Sequence, residues 1–182
     1  MDAPVKIREA TPADFDEIAR LTLAAYRALS VWVGDDYAAE LADVAGRAES
    51  GATVLVAEDG DGRLVGSVTL VLPPSPFFEW ISGVDGDCGF RMLAVDPEAQ
   101  GRGIGPALVD ECLRRSRAAG RARMLIGSTP WMTTAHRIYQ RVGFVRRPDL
   151  DQQWGPITGW AFVLDLTADA ESGGSLPETG SG

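Results

Sequence analysis

The feature that most constrains this chain is a glycine-rich turn between a predicted strand and a predicted helix. An apolar segment ends at Val95, glycines then alternate at Gly101, Gly103 and Gly105, and helical periodicity follows. Residues without a Cβ let backbone N–H groups converge on phosphate oxygens, and a helix N-terminus adds the positive end of its dipole. The pattern therefore predicts an anion site, to which Arg102 can add charge-assisted hydrogen bonds.

Two common nucleotide-binding motifs do not fit these glycines. Counted from Gly101, the third glycine of a dinucleotide fingerprint would stand at Pro106, and the lysine and hydroxyl residue that complete a P-loop are absent. A tight strand-to-helix turn without a ligand is the plain alternative, but it needs only one or two glycines. We therefore favour a phosphate site of another kind.

The rest of the chain alternates between strand and helix patterns. Helices are predicted where apolar residues recur every three or four positions, and strands where apolar and β-branched residues run together. The predicted helices are 12–29, a weaker 36–48, one from the glycine turn to about 119, and 133–142. The predicted strands are 5–8, 53–57, 64–72, 89–95, 123–126 and 160–166, with extended chain restarting at 143–144.

Composition narrows the class of protein. A single domain over residues 1–171 is expected, because no repeat or long linker divides it; residues 172–182 form a Gly/Ser-rich tail that resembles a sortase recognition tag. The formal net charge of −9 disfavours nucleic acid and anionic membranes as partners. With two separated cysteines, one histidine and no long apolar run or leader, we expect a cytoplasmic protein without a metal.

Two segments resemble the Gcn5-related N-acetyltransferase (GNAT) family. The first, Gln100-Gly101-Arg102-Gly103-Ile104-Gly105, matches the pattern Q/R-x-x-G-x-G/A. The second, Ala135 to Phe144, matches A-x-x-x-Y-x-x-x-G-F and lies at the expected distance. The resemblance covers the C-terminal half closely, and the order of predicted elements fits the whole family fold.

The resemblance implies a fold and an acyl donor. The fold is an α/β fold of the α+β type, with a mixed, splayed central sheet of six to seven strands flanked by about four helices. Acetyl-CoA would lie between the strand that ends at Val95 and the strand near Leu125. Carried over from the family, the cofactor-binding residues are Leu93, Ala94, Val95, Gln100, Gly101, Arg102, Gly103, Ile104, Gly105 and Met132.

Two positions depart from the family pattern. Pro106 follows the last glycine and has no N–H, which removes one possible phosphate contact but not the site. Met132 stands seven residues before Tyr139, where the family frequently has an Asn that contacts pantetheine. That contact is lost, or replaced by Ser128 or Thr129.

Amine attack on a thioester needs an oxyanion donor and a proton for the departing thiolate. A backbone N–H near Leu93 or Ala94 is the candidate oxyanion donor. Tyr139 is the candidate acid, because a phenol stays protonated at neutral pH. By periodicity alone Tyr139 is an ordinary core residue; with the resemblance, we favour the acid.

The catalytic base is less well marked. Glu79 and Asp87 are the candidates, with Asp85 nearby, although each is more simply a solvated loop charge. His136, one helical turn before Tyr139, is either a proton relay or, as we favour, an exposed helix histidine. Cys88 as a covalent acyl carrier is disfavoured, because no nucleophile motif surrounds it.

The acceptor predicted from these features is a primary amine on a small molecule. Acidic net charge suits a cationic acceptor, and an aromatic loop with Phe77, Phe78 and Trp80 suits an apolar or aromatic portion, unless that loop simply folds over the core. A protein lysine or N-terminus as acceptor, and a non-catalytic acyl-CoA sensor, are the alternatives. A homodimer through the apolar residues after Phe144, including Trp154 and Trp160, is a further hypothesis.

Overall fold

The computed structural model describes residues 4–29, 34–74 and 85–167 of the chain. Its strands are β1 (Lys6–Glu9), β2 (Thr53–Glu58), β3 (Leu64–Val71), β4 (Asp87–Val95), β5 (Arg123–Ser128), β6 (Val145–Arg146), β7 (Gln152–Trp154) and β8 (Ile157–Asp165). Its α-helices are α1 (Phe15–Arg27), α2 (Asp35–Ala42), α3 (Val44–Glu49), α4 (Ile104–Ala118) and α5 (Thr133–Val142). The predicted substrate and base residues Phe77, Phe78, Glu79 and Trp80, and the tail 172–182, lie outside the described residues.

The strands form one mixed sheet. Their order is β1-β2-β3-β4-β5-β8-β6, and β7 pairs with β8 beside this path. Neighbouring strands are antiparallel except β4 and β5, which run parallel. The predicted mixed α/β sheet and the β2–β3 hairpin are therefore confirmed. In the hairpin turn, the Asp59 carboxylate accepts hydrogen bonds from the backbone N–H groups of Asp61 and Arg63 at 3.0 Å each.

Helices cover both faces of the sheet. Val54 of β2 belongs to a core cluster with Ile18 of α1 and Val44 of α3. The next residue, Leu55, belongs instead to the main core with Leu108 of α4. Because successive strand residues point to opposite faces, α1 and α3 lie on one face, and α4 lies on the other with α5 beside it.

The sheet opens between β4 and β5. Their pairing joins residues 87–89 to 123–125, although β4 continues to Val95 and β5 to Ser128. Beyond those three pairs the two strands separate, as the predicted splayed sheet requires. The gap is the feature that positions the functional site.

A bulge in β4 faces this gap. Ser67 pairs with Ala94 and Thr69 with Arg91, so β4 holds one residue more than β3 over this stretch. Met92 lies in the bulge with a φ of +54°, in the left-handed region that residues with a Cβ rarely adopt. Its buried side chain, whose sulfur accepts from the Arg47 guanidinium, holds this conformation in place.

The single helix predicted over 36–48 is wrong. The chain forms α2 and α3, which meet at Asp43, where φ is −80° and ψ is 69°. The Asp43 side chain accepts a hydrogen bond from the N–H of Gly46 at 2.9 Å, and an N-cap of this kind starts a new helix. The described residues consequently hold five α-helices rather than about four.

Other elements differ from expectation at their ends. The short strand β7 was not predicted, and it pairs with β8 through a hairpin that brings Trp154 opposite Ile157. Helix α4 begins at Ile104, at the end of the predicted glycine turn, because Gly101 and Gly103 have φ values of +79° and +75° that no α-helix accommodates. Within the described part of the chain, no helix has the length and apolar character needed to cross a membrane.

Candidate active site

A cavity of about 400 Å³ occupies the gap between β4 and β5. Five parts of the chain line it: the bulged part of β4, the end of β5 with the loop that follows, helix α5, the α1–α2 region, and the β7–β8 hairpin. The lining residues are Phe90, Arg91, Met92, Leu93, Gly127, Ser128, Thr129, Trp131, Met132, Tyr139, Tyr26, Leu29, Tyr37, Glu40, Trp154 and Ile157. The splay of the sheet and the bulge thus create the cavity.

The glycine turn supplies an exposed N-terminus to α4. Gly103 is the N-cap residue, has no side-chain cap, and is followed by a first turn without acidic residues. A Cβ built on Gly101 or Gly103 would meet no atom within 4 Å, so the space above both residues is open. The N–H groups of Ile104 and Gly105 have no acceptor within the helix, and they fit an anion such as a diphosphate.

Gly105 has a second reason to be glycine. A Cβ at this position would lie 3.0 Å from Cδ1 of Ile138 on α5. The missing side chain therefore allows α4 and α5 to approach closely. Gly101 and Gly103 are needed because the turn requires positive φ values there, whereas Gly105 is needed because helix α5 packs closely against it.

The backbone of Val95 faces the gap. The N–H of Asp96 donates to the carbonyl oxygen of Val65 at 2.9 Å, so the polar groups of Asp96 point toward β3. Main-chain polar groups alternate in direction along a strand, so those of Val95 point toward the space that β5 has left. They can pair with the amides of an extended ligand. Among its neighbours, Leu93 lines the cavity, whereas the Ala94 side chain is buried under α1 and α2.

Tyr139 lies at the inner wall of the cavity. Its ring packs against Phe90, Phe144 and Phe162, with centroid distances of 5.8, 5.7 and 5.7 Å. Burial, and after it the neighbouring Cys112, raises the pKa of Tyr139 well above its ordinary value. The phenol is therefore a hydrogen-bond donor at neutral pH, as a proton donor to a leaving group must be.

Asp87 does not line the cavity. It starts β4, five positions before Met92 of the bulge, which is about 16 Å at the usual rise of a strand. Both of its carboxylate oxygens accept from Arg123, at 2.9 and 2.8 Å. The structure therefore places Asp87 away from the cavity and pairs it with Arg123. Asp85 lies exposed in the preceding turn.

His136 is buried, so the favoured interpretation of an exposed histidine is wrong. Its Nε2 lies 3.0 Å from Oγ of Ser128, and its ring stacks on Trp160 with a centroid distance of 5.6 Å. Burial lowers the pKa of His136, and the nearby Arg146 lowers it further, against a hydrogen bond with the Thr129 backbone that raises it. The imidazole is consequently neutral at pH 7.

The loop after β5 lines the cavity where the sequence placed a pantetheine contact. Ser128, Thr129 and Met132 all reach the cavity. Oγ1 of Thr129 and Nε1 of Trp131 are buried, and no described residue gives either of them a hydrogen-bond partner. Two unpaired polar groups beside Met132 can bind the amide groups of a ligand. A cavity wall that only packed against apolar atoms would leave both groups without partners.

Sequence reasoning missed most of the far wall of the cavity. Tyr26 of α1 and Tyr37 of α2 meet edge to face with a centroid distance of 6.1 Å. Arg91 of the bulge donates to Glu40 of α2 at 3.2 Å. The inward helical positions of Tyr26 and Tyr37 were detectable from periodicity, but nothing in the sequence indicated a cavity wall rather than core.

The two cysteines take no part in the site. Cys88 and Cys112 are fully buried and free of disulfides, and neither lines the cavity. Burial raises the pKa of Cys88, which makes its thiol a poor nucleophile. Within the described ranges, no group of three or more His, Cys, Asp or Glu side chains is placed to hold a metal ion.

Comparison with known proteins identifies a matching family. The family model described as an acetyltransferase (GNAT) domain matches residues 50–146, slightly more than half of the chain. This segment contains the bulged strand, the glycine turn and the helix with Tyr139. The match therefore includes three of the five parts that line the cavity and leaves out the α1–α2 region and the β7–β8 hairpin.

Curated relatives align over part of their length. A mycothiol acetyltransferase from Beutenbergia cavernae is 37% identical over 90 residues, which are 50% of this chain and 27% of the relative. The chain thus spans less than a third of that relative. The similarity concerns one segment of a longer protein.

Solved structures share the fold. An acetyltransferase of the GNAT family from Staphylococcus aureus Mu50 matches with a TM-score of 0.70 and 15% identity, over 89% of this chain and 99% of that one. A Salmonella typhimurium protein described as an acetyltransferase, solved with its cofactor acetyl-CoA, matches with a TM-score of 0.65 and 20% identity, over 97% and 99%. At these identities the comparison supports the architecture alone.

Proposed function

Because this chain belongs to the GNAT acetyltransferase family, we propose that it transfers an acetyl group from acetyl-CoA to the primary amine of a small molecule. The observation that carries the proposal is the gap between β4 and β5. Leu93 and the phenol of Tyr139 line the cavity in this gap. The outward backbone of Val95 follows Leu93 along β4, and the open N-terminus of α4 lies beside it, since a Cβ on Gly105 would be 3.7 Å from Cγ2 of Val95. The N-terminus of α4 can bind a diphosphate, the backbone of Val95 can pair with an amide-bearing arm, and the phenol of Tyr139 can donate to a departing thiolate.

Each group has a separate task in the proposed reaction. The N–H groups of Ile104 and Gly105 hold the diphosphate, with Gln100, Gly101, Arg102 and Gly103 forming the turn around it. The backbone at Leu93 and Val95 aligns the pantetheine arm, beside Met132. The acyl donor supplies the activated thioester carbon. Tyr139 then donates a hydrogen bond to the sulfur as the C–S bond breaks.

The acceptor end of the cavity is aromatic. Tyr26, Tyr37, Trp131 and Trp154 line it, and Glu40 contributes a carboxylate. Aromatic faces and a carboxylate favour a cationic or partly aromatic amine. The relative from Beutenbergia cavernae is likewise named for a small molecule, mycothiol. A protein lysine or N-terminus is less well suited to a cavity of about 400 Å³.

The setting of the protein is part of the proposal. We infer one catalytic domain over residues 1–171 and a cytoplasmic location, because acetyl-CoA and two free buried thiols suit a reducing compartment. A homodimer is proposed through the exposed Val145 and Trp154 near the last strands. Gel filtration that gives a monomer at all concentrations would exclude the dimer.

An assay of thiol release from acetyl-CoA across a panel of amines tests the function. The panel contains polyamines, aromatic amines, amino acids and a lysine peptide, and we expect turnover with at least one small amine. Binding of coenzyme A is measured separately by calorimetry. Tight binding without turnover on any amine would favour the non-catalytic sensor.

Tyr139→Phe separates the two functions further. The phenol is proposed to act on the leaving sulfur, so kcat should fall by about 10²-fold or more while coenzyme A affinity changes little. An unchanged kcat in Tyr139→Phe would make Tyr139 an ordinary core residue. It would leave the acetyl transfer without its proposed acid.

A further inference from the structure

A buried hydrogen bond links the cavity to a histidine behind its wall. Ser128 ends β5 and lines the cavity, whereas His136 lies on α5 outside the lining. Their Oγ and Nε2 atoms are 3.0 Å apart. The serine hydroxyl is therefore the link between the imidazole and a ligand in the cavity.

Packing fixes the imidazole in this position. The His136 ring stacks on Trp160 at 22° between planes and lies 5.0 Å from the Phe162 centroid. Both aromatic residues belong to β8, and Trp160 is the register partner of Ser128 on β5. Ser128 is thus held by β5, and His136 is held by α5 where that helix packs on β8.

The charged groups around His136 favour its neutral form. Arg146 stands over the Trp160 ring at 4.8 Å from its centroid, and its guanidinium is bonded to the Asp151 carboxylate. Tyr139, on the same helix, lies 6.4 Å away between ring centroids. With burial and a cation beside it, the imidazole has a lowered pKa and stays free to accept a proton at neutral pH.

We propose that Ser128 and His136 form a proton relay that removes the proton from the acceptor amine. A serine hydroxyl can accept one hydrogen bond while it donates another, so a proton can enter at Oγ as another leaves for Nε2. The relay rests on the proposed acetyl transfer. It gives the reaction the base that Asp87 is too distant to provide.

The step balances as follows for a neutral primary amine. The nitrogen attacks the thioester carbonyl carbon, a C–N bond forms, and the C–S bond breaks. The amine proton passes to Ser128 Oγ while the serine proton passes to His136 Nε2. The thiolate takes the phenolic proton of Tyr139, and solvent restores that proton and receives the one held by His136. In this step Ser128 is the residue that contacts the amine. His136 does not contact it and acts through Ser128, as a positioning residue.

Two substitutions test the relay. Ser128→Ala removes only the hydroxyl, and His136→Gln keeps a polar side chain of similar size without the basic nitrogen. We expect kcat to fall by about 10²-fold in each, with the KM for the amine and the coenzyme A affinity within roughly threefold of wild type. The acidic limb of the kcat–pH profile, which reports imidazole protonation, should disappear in both.

Two further variants serve as controls. Ser128→Thr keeps a hydroxyl on a strand that suits β-branched residues, and it should restore most of kcat and the acidic limb. Ser116→Ala removes an equally buried hydroxyl on α4 that does not line the cavity, and it should leave kcat unchanged. Melting temperatures of all variants show whether a loss of kcat reflects unfolding.

The outcomes separate the relay from the function on which it rests. Absence of turnover in the wild type would overturn the acetyl transfer and the relay together. Normal turnover with an unchanged kcat in Ser128→Ala would overturn the relay alone. A loss of kcat that is equal at every pH, with the acidic limb intact, would also overturn it and indicate a structural role for the pair.

Discussion

The indole of Trp154 lies directly on the backbone of Gly159: a Cβ added to Gly159 would come within 2.6 Å of the ring atoms Cη2 and Cζ2. The two residues belong to neighbouring strands of the β7–β8 hairpin. Trp154 and Ile157 of this hairpin line the cavity. The absence of a side chain at Gly159 therefore determines where the indole stands at the acceptor end.

Gly159→Ala is expected to move the Trp154 ring and to weaken acceptor binding. A contact of 2.6 Å is too short for any real Cβ, and the ring is the part that can shift. We expect the KM for the amine to rise by about tenfold, or 1.4 kcal/mol, while coenzyme A affinity is unchanged.

The matched control for this change is Thr158→Ala. Thr158 is the exposed neighbour of Gly159 in β8, and its side chain bonds Gln153 at 3.2 Å. Its removal should leave the KM for the amine unchanged. Equal KM values for wild type and Gly159→Ala would show that Trp154 does not contribute to acceptor binding.

Gly103→Ala is expected to reduce coenzyme A affinity. Gly103 has a φ of +75° at the N-cap of α4, and an Ala there strains the backbone and places a methyl group above the proposed diphosphate. Calorimetry should show an affinity loss of about tenfold or more, with a stability loss of about 1–2 kcal/mol.

Gly120→Ala separates strain from binding. Gly120 has a φ of +70° and an equally open surrounding, but it follows the C-terminal end of α4, far from the turn. It should lose similar stability and keep its coenzyme A affinity. Equal affinity losses in both variants would mean that the turn holds no phosphate.

Asp87→Asn is expected to lower stability and spare catalysis. Asp87 is buried and accepts two hydrogen bonds from Arg123, so the amide leaves the guanidinium poorly paired. Thermal unfolding should show a loss of about 1–3 kcal/mol, with kcat unchanged when assayed below the transition.

Asp149→Asn provides the comparison. Asp149 pairs with Arg147 on the surface, where its side chain is 59% exposed, and its loss should change stability little. A large fall of kcat in Asp87→Asn, with the folded fraction intact, would restore Asp87 as a catalytic group.

The stability of the protein should fall as the pH drops below about 6.5. Burial lowers the pKa of His136 in the folded protein, so the unfolded chain binds a proton first, and stability is complete above the unfolded value and lost below it. One proton contributes a slope of at most about 1.4 kcal/mol per pH unit. Denaturant unfolding between pH 5 and 8 should show this slope in wild type and its absence in His136→Gln.

Carboxylates contribute at lower pH and do not obscure this effect. Arg114, and with it Arg115, lowers the pKa of Glu111 to about 2, and Arg146 lowers that of Asp151. Their contributions to stability are present above their unfolded values and are lost only as the pH falls further. A wild-type slope identical to that of His136→Gln above pH 5 would contradict the burial of a neutral imidazole.

The elements predicted most accurately from the sequence are those whose structure depends on a local pattern of residues. Helix α5 has the predicted bounds because an apolar stripe leads to Gly143, which ends it with a φ of +110°. The glycine turn was located because residues with positive φ are restricted to few side chains. In both cases the determining interactions lie within a few residues of one another.

The sequence predicted poorly where distant segments meet. His136 is buried by Trp160 and Phe162 of β8, more than 20 residues away, so its helical position alone could not reveal its burial. The break at Asp43 depends on one side-chain cap in a segment with a continuous helical pattern. The aromatic wall of the cavity joins residues from α1, α2 and the β7–β8 hairpin, which only the completed fold brings together.

The short pairing between β4 and β5 affects how variants of this protein will behave in a cell. Three residue pairs join the main chains of those two strands. A donor bound along the backbone of Val95 would therefore stabilise the contact between the two halves of the sheet. Substitutions that weaken donor binding would then lower the amount of folded protein, through proteolysis, as well as the catalytic rate. A lower concentration of the proposed donor would remove the same stabilisation.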